Sequence, residues 1–418
     1  MGMLPLSYGR RAEWIHSPAG RVILSVAHCF SPQQRTPMGC KQSTVSGYKR
    51  LTEEDILAIP LLFRDLANRS KTPGMKYWFD TCTIREGTMP LKMGETTMTV
   101  EYACVSKCGY YPDEPTHTVQ DSFTLCESKF VRNGVSSSGL YMAVYDGHGE
   151  YGGECSRFCR DFIEDRITHG AELDSNMTVQ SFLSKCLLDC NMELHDMKYT
   201  GGIDDSNSGT TAVCVSILDG EVVCANVGDS RSVAGFVTAQ DAVIAVPLSR
   251  DQTPMREDER ARVRDRGADV FTVGELLRAH SPTADERPPE YSYDDPPRIY
   301  LKNAAFPGAA FSRSVGDCIA ETVGVTAEAE TTTRRLCSGV NHVMAASDGL
   351  WNFTAPVEIA TSVRYATDLA RTALTAVLTA YGRWIQECNS CDDITLVVVR
   401  FPVMSPAVAE QNGEWSSS

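Results

Sequence analysis

Four aspartate-bearing turns stand out because each abuts an apolar run. Residues 140–145 (LYMAVY) lead into Asp146-Gly147-His148-Gly149, and residues 221–227 (EVVCANV) into Gly228-Asp229-Ser230-Arg231. Residues 342–346 (HVMAA) lead into Ser347-Asp348-Gly349, and Asp392-Asp393 stands directly before residues 394–401 (ITLVVVRF). A carboxylate at the end of a stiff element can be aimed. Several carboxylates gathered at close range stay ionised only if cations compensate them. Hard oxygen donors of this kind suit Mg²⁺ or Mn²⁺ rather than zinc. Two such ions can share a bridging carboxylate and lower the pKa of a bound water towards about 7. One Asp-Gly pair is ordinarily a turn signal; four placed this way point to metal chemistry, with solvated turns as the competing assignment. His148, beside a candidate ligand, is a candidate proton donor to a leaving group; the alternative is a histidine satisfied by backbone hydrogen bonds.

The elements that must hold these residues are short and buried. Residues 140–145, 211–218, 221–227, 342–346 and 394–401 are apolar at nearly every position, as strands covered on both faces are. Amphipathic stretches at 154–168, 179–192, 257–267 and 365–387 alternate with them, which predicts sheets sandwiched between helices. This pattern is compatible with an α/β fold as well. Residues 51–68 predict a helix capped by Thr52 and kinked at Pro60. Residues 1–50 read as mostly unfolded, 51–96 as a helical extension, 97–402 as the catalytic domain and 403–418 as a loose tail.

Across 418 residues the formal net charge of −15, with 42% hydrophobic and 8% aromatic residues, describes a globular body. That charge argues against nucleic acid as a partner. The sixteen cysteines are irregularly spaced. Cys388 and Cys391 have CxxC spacing without a second zinc-ribbon pair, so buried reduced thiols are expected, with a zinc site or redox switch as the alternative. Without a secretory signal or spanning segment, the expected location is the cytoplasm.

The ordered motifs resemble the protein phosphatase 2C family of metal-dependent phosphatases. They are Thr118-Val119-Gln120-Asp121-Ser122-Phe123, Ala143-Val144-Tyr145-Asp146-Gly147-His148-Gly149, Ser208-Gly209-Thr210-Thr211-Ala212 and Ala225-Asn226-Val227-Gly228-Asp229-Ser230-Arg231. There follow Leu248-Ser249-Arg250-Asp251-Gln252-Thr253-Pro254, Phe311-Ser312-Arg313-Ser314-Val315-Gly316-Asp317, Ala346-Ser347-Asp348-Gly349-Leu350-Trp351 and Asp392-Asp393-Ile394-Thr395. Gly109-Tyr110-Tyr111-Pro112, Asp251-Gln252-Thr253-Pro254 and Pro307-Gly308 are similar to the plant and protist branch, in particular to phosphatase domains of plant proteins that also carry cyclic-nucleotide-binding and kinase domains.

The resemblance implies an α+β fold: a PP2C-like α-β-β-α sandwich of two antiparallel sheets flanked by helices. It implies two core Mg²⁺ or Mn²⁺ ions, with Asp146 bridging them and the Gly147 carbonyl on one. Asp348 and Asp392 would complete the other ion's shell, and Asp121 would act through water. Asp229, with Asp348, would hold a weaker third ion. Metal-activated water would attack phosphoserine or phosphothreonine of phosphorylated proteins in line, and His148 would protonate the departing oxygen. Residues 250–303 would form a flap beside the site.

Three departures stand against this pattern. Cys108 falls where the branch has a phosphate-holding arginine, leaving Lys107 as a substitute point charge. Asn352 replaces an aspartate of the third-ion site, and Asp393 stands where Asn is frequent. A catalytically silent scaffold that binds phosphoproteins is the alternative to an active enzyme. Met38-Gly39-Cys40-Lys41-Gln42-Ser43 fits N-myristoylation at Gly39 with palmitoylation at Cys40, if translation starts at Met38. Two acyl chains would attach the protein peripherally to a membrane face.

Overall fold

The computed structural model describes residues 49–50, 82–114, 116–174, 176–200, 202–279 and 295–402. The expected helix at 51–68, the acylation motif at 38–43 and the tail at 403–418 lie outside these residues. Two sheets form the body. One runs in the order Lys49–Arg50, Cys82–Met93, Thr96–Lys107, Ile394–Arg400, Val340–Ala346, Arg231–Val237, Val243–Pro247. The other runs Glu330–Arg335, Glu221–Val227, Ala212–Leu218, Val135–Tyr145, Ser122–Arg132, Ala171–Leu173. All pairings are antiparallel except that of Ser122–Arg132 with Ala171–Leu173.

Alternate residues of each strand serve different layers, as the strand period of two requires. In Val135–Tyr145, Leu140, Met142 and Val144 point between the sheets, while Tyr141, Ala143 and Tyr145 face the helices. In Ile394–Arg400, Val397 and Val399 fill the inter-sheet core, whereas Ile394, Leu396 and Val398 meet the opposite helix layer. Helices Gly152–Thr168 and Val179–Thr200 cover the second sheet; Pro356–Arg364 and Leu369–Cys388 cover the first. The fold is therefore an α-β-β-α sandwich. This explains why its strands read as apolar throughout: helices cover one face and the other sheet covers the second.

Two boundaries differ from expectation. Catalytic-body structure begins before residue 97, because Cys82–Met93 pairs along its length with Thr96–Lys107. Its half-exposed pattern and Pro90 hide it among turn-like residues. The helix expected at 365–387 starts later, as Leu369–Cys388, where Asp368 caps it by accepting from the Arg371 N–H (2.9 Å), and a separate helix, Pro356–Arg364, precedes it.

Candidate metal and phosphate site

The aspartates converge at one rim of the sandwich, from both sheets. Asp146 follows Val135–Tyr145, and its backbone is pinned: its N–H donates to Thr211 Oγ1 (3.2 Å), and its carbonyl accepts from the Thr211 N–H (2.9 Å) and Thr210 Oγ1 (3.1 Å). Gly147 and His148 then pair with Gly209–Thr210, which pairs in turn with Val315–Gly316. A side chain on Gly147 would collide with the Gly152 carbonyl and stand 2.7 Å from the Gln120 carbonyl oxygen, so only glycine lets the chain pass here.

From the other sheet, Asp348 opens the short helix after Val340–Ala346, and Asp392 precedes Ile394–Arg400. Asp392 is fixed by the Tyr111 hydroxyl, which donates to Oδ1 (2.7 Å), and by the reciprocal backbone pair of Tyr110 with Cys391 (2.7 Å each way). Asp121 lies just before Ser122–Arg132; Ser347 Oγ donates to its Oδ2 (2.8 Å), joining the two sheets at the rim. Its Oδ1 is buried with no hydrogen-bond partner. Asp229 follows Gly228, whose N–H donates to Gln252 Oε1 (2.7 Å).

These carboxylates are mutually destabilised. Burial, then Asp121, Asp348, Asp392 and Asp229, push the Asp146 pKa well above the usual carboxylate range. Burial with Asp229 and Asp392 does the same to Asp348, and burial with Asp393 to Asp121. Burial also raises Asp392, despite the Tyr111 hydrogen bond. Asp229 is pushed up to about 6 by burial and Asp251. A group of partly buried acids that oppose one another, with Asp121 buried and one of its oxygens orphaned, fits divalent cations better than any internal role.

His148 is placed by a residue that sequence reasoning left without a role. Its Nε2 lies 2.6 Å from Asp317 Oδ2, and its ring lies against Phe311 (centroids 4.3 Å apart). Burial alone would lower the His148 pKa; the Asp317 carboxylate outweighs it, and the pKa is raised. Ser314 Oγ donates to the same Asp317 oxygen (2.6 Å). Asp317 is 169 positions from His148, so no local pattern announces the pair.

Lys107 requires a correction. It is fully buried, on the helix-facing side of its strand, with Nζ donating to the Cys108 carbonyl (3.0 Å) and lying 4.4 Å from the Tyr381 ring centroid. Burial lowers its pKa. A point charge so enclosed cannot grip a substrate phosphate. The alternation of Thr96–Lys107 explains this, since Ala103 and Val105 face the same helix layer. Cys108 is buried as well, its Sγ towards the His117 carbonyl (3.6 Å). Asn352 Nδ2 donates to Asp348 Oδ2 (3.0 Å), bringing a neutral amide to the expected third-ion position.

The flap is partly described: helix Glu257–Asp265 and a small sheet of Asp269–Phe271, Arg298–Tyr300 and Pro307–Ala309 enclose a separate core around Val263, Val270 and Ile299. The described cysteines are all free.

The family model for protein phosphatase 2C matches residues 115–394. This chain belongs to the protein phosphatase 2C family. Curated plant relatives agree. The phosphatase is 34% identical over 305 residues to probable protein phosphatase 2C 35 of Arabidopsis thaliana, covering 73% of this chain and 84% of that one. It is 27% identical over 319 residues to probable protein phosphatase 2C 73 of Oryza sativa subsp. japonica, covering 70% and 71%. The fold is shared with the solved serine-threonine phosphatase 2C from Toxoplasma gondii, at a TM-score of 0.56 and 16% identity, over 76% of this chain and 99% of that one. Protein serine/threonine phosphatase is thus the activity class of this phosphatase, and the site lies within the matched residues.

Proposed function

We propose that the chain is a Mg²⁺- or Mn²⁺-dependent phosphatase acting on phosphoserine and phosphothreonine of proteins, by direct displacement with water. The observation that carries this reading is the uncompensated acidic rim, above all the orphaned Asp121 Oδ1. Asp146, the Gly147 carbonyl, Asp348 and Asp392 would hold two ions, with Asp121 reached through water and Asp229 serving a weaker third. When bound, such ions supply Lewis-acid charge and a water of lowered pKa.

The chain's own residues supply position and the proton. Thr210 and Thr211 hold the Asp146 backbone, and Tyr111 aims Asp392. Asp317 at Nε2 favours the protonated form of His148 and leaves Nδ1 to give a proton to the departing serine or threonine oxygen. Phe311 limits the swing of the imidazole. Neither Lys107 nor Cys108 presents charge to the substrate phosphate.

The test uses the full chain and a phosphothreonine peptide, with released phosphate measured under Mg²⁺, Mn²⁺ or EDTA. Hydrolysis with either ion that EDTA abolishes supports the reading. Hydrolysis indifferent to EDTA, or none with both ions, would overturn it; the latter would favour a silent scaffold.

A further inference from the structure

Beside the aspartate rim lies a group of different chemistry. Cys108 Sγ, His117 Nε2 and an Asp393 carboxylate oxygen all lie within 4.8 Å of one another, and no other described residue set of this kind contains a thiol or an imidazole. They come from three segments: the end of Thr96–Lys107, the following loop, and the residue before Ile394–Arg400.

The donors are held by one another and by the backbone. Asp393 Oδ1 accepts from the Gly109 N–H and Oδ2 from the Gln120 N–H, both at 2.6 Å. His117 Nε2 stands 3.1 Å from Asp393 Oδ1, with its ring edge-on to Tyr111 at 4.8 Å between centroids. The Tyr110–Cys391 backbone pair ties the loop to the Asp393 segment. The side chains are only 12% (His117) and 4% (Asp393) exposed.

We propose that Cys108, His117 and Asp393 form a second metal site, selective for Zn²⁺ and distinct from the all-oxygen aspartate rim. A thiolate, an imidazole and a carboxylate are the donor types zinc takes, whereas Mg²⁺ and Mn²⁺ prefer oxygen alone. Tetrahedral ligand atoms around zinc stand about 3.3–3.8 Å apart, so the group needs a contraction of only about 1 Å. On binding, the Cys108 thiol gives its proton to solvent, the sulfur bonds the metal as thiolate, and His117 binds as neutral imidazole. Three protein donors leave the fourth position to water or an incoming oxygen ligand. Asp393 is bonded in sequence to Asp392, and Gln120 to Asp121, so occupancy of one site bears on the geometry of the other.

The experiment adds CoCl₂ as a stand-in for zinc to the full chain held in excess Mg²⁺, and records near-ultraviolet and visible absorption. The expected result is one equivalent of cobalt giving a thiolate-to-cobalt charge-transfer band, erased by ZnCl₂. Cys108→Ser should abolish the band, His117→Gln should weaken cobalt affinity by at least about 10-fold, and Asp146→Asn should leave the band in place. A wild-type protein without the band overturns the proposal, whatever the variants do. So does a band that survives both Cys108→Ser and His117→Gln, or one lost in Asp146→Asn. The readout needs no phosphatase activity, so its failure is distinguishable from failure of the hydrolytic reading.

Discussion

Two carboxylate sites in this protein answer the same electrostatic problem in opposite ways. In the flap, Glu259 is buried, but Arg262 and Arg313 donate to it at 2.6–3.2 Å, and Ser312 Oγ at 2.6 Å. Burial would raise its pKa, yet the arginines bring it down to about 2. At the rim, Asp146 and its neighbours are less fully covered than Glu259 and raise one another instead. A carboxylate matched by its own chain is structural. A set left unmatched would need a cation that the chain itself does not supply.

The comparison breaks most visibly at Asp146. Asp146→Asn should cut kcat on a phosphothreonine peptide by at least about 10²–10³-fold, while the metal-free protein melts no lower than wild type, because a repelling charge has gone. A metal-free Tm lowered by several degrees would mean the aspartate is structural. Glu259→Gln should do the reverse. Stranding two arginines should cost about 3 kcal/mol in urea unfolding, with kcat per folded molecule within a few-fold of wild type. Loss of activity without loss of stability would erase the distinction.

Asp317→Asn probes the seam between the two kinds of site, since it removes the charge that holds His148. It should lower kcat about 10-fold and leave KM for the peptide nearly unchanged. A rise in KM alone would assign Asp317 to substrate binding.

The smallest effect concerns His195, which lies between Asp205 and Glu321; its Nε2 is 3.1 Å from Glu321 Oε2, and hydrogen bonds to Asp205 and then Glu321 raise its pKa from 6.5 to about 10. Its stabilising contribution is full below pH 6.5 and is lost as pH rises through about 10. His195→Gln should therefore lower Tm by about 2–4 °C at pH 6, and the gap should close towards pH 10. A gap independent of pH would deny that the charged imidazole is responsible.

The rim aspartates were legible in the sequence because strand ends carry a local signature, an apolar run stopped by Asp-Gly or Gly-Asp. The sandwich itself was not separable from an α/β fold by pattern, since helix-covered parallel strands and sheet-covered antiparallel strands are equally apolar. Side-chain direction at the last residue of a strand was also hidden. Lys107 was expected to point towards the substrate, and only the pairing of Thr96–Lys107 in register with Ile394–Arg400 turns it under Tyr381. His117 and Asp393, 276 positions apart, carried no shared signal. Contacts that depend on which strands become neighbours are written in the fold and not in any window of the chain.

The hydrogen bond from Ser347 to Asp121 joins the end of one sheet to the start of a strand in the other. Asp146 and Asp121 arrive with the second sheet, Asp348 and Asp392 with the first, so neither half possesses the site alone. During refolding, β-structure in each sheet can return before any catalysis is possible. Recovered turnover then becomes a clock for the docking of the two halves, and it should lag behind the circular-dichroism signal of the strands.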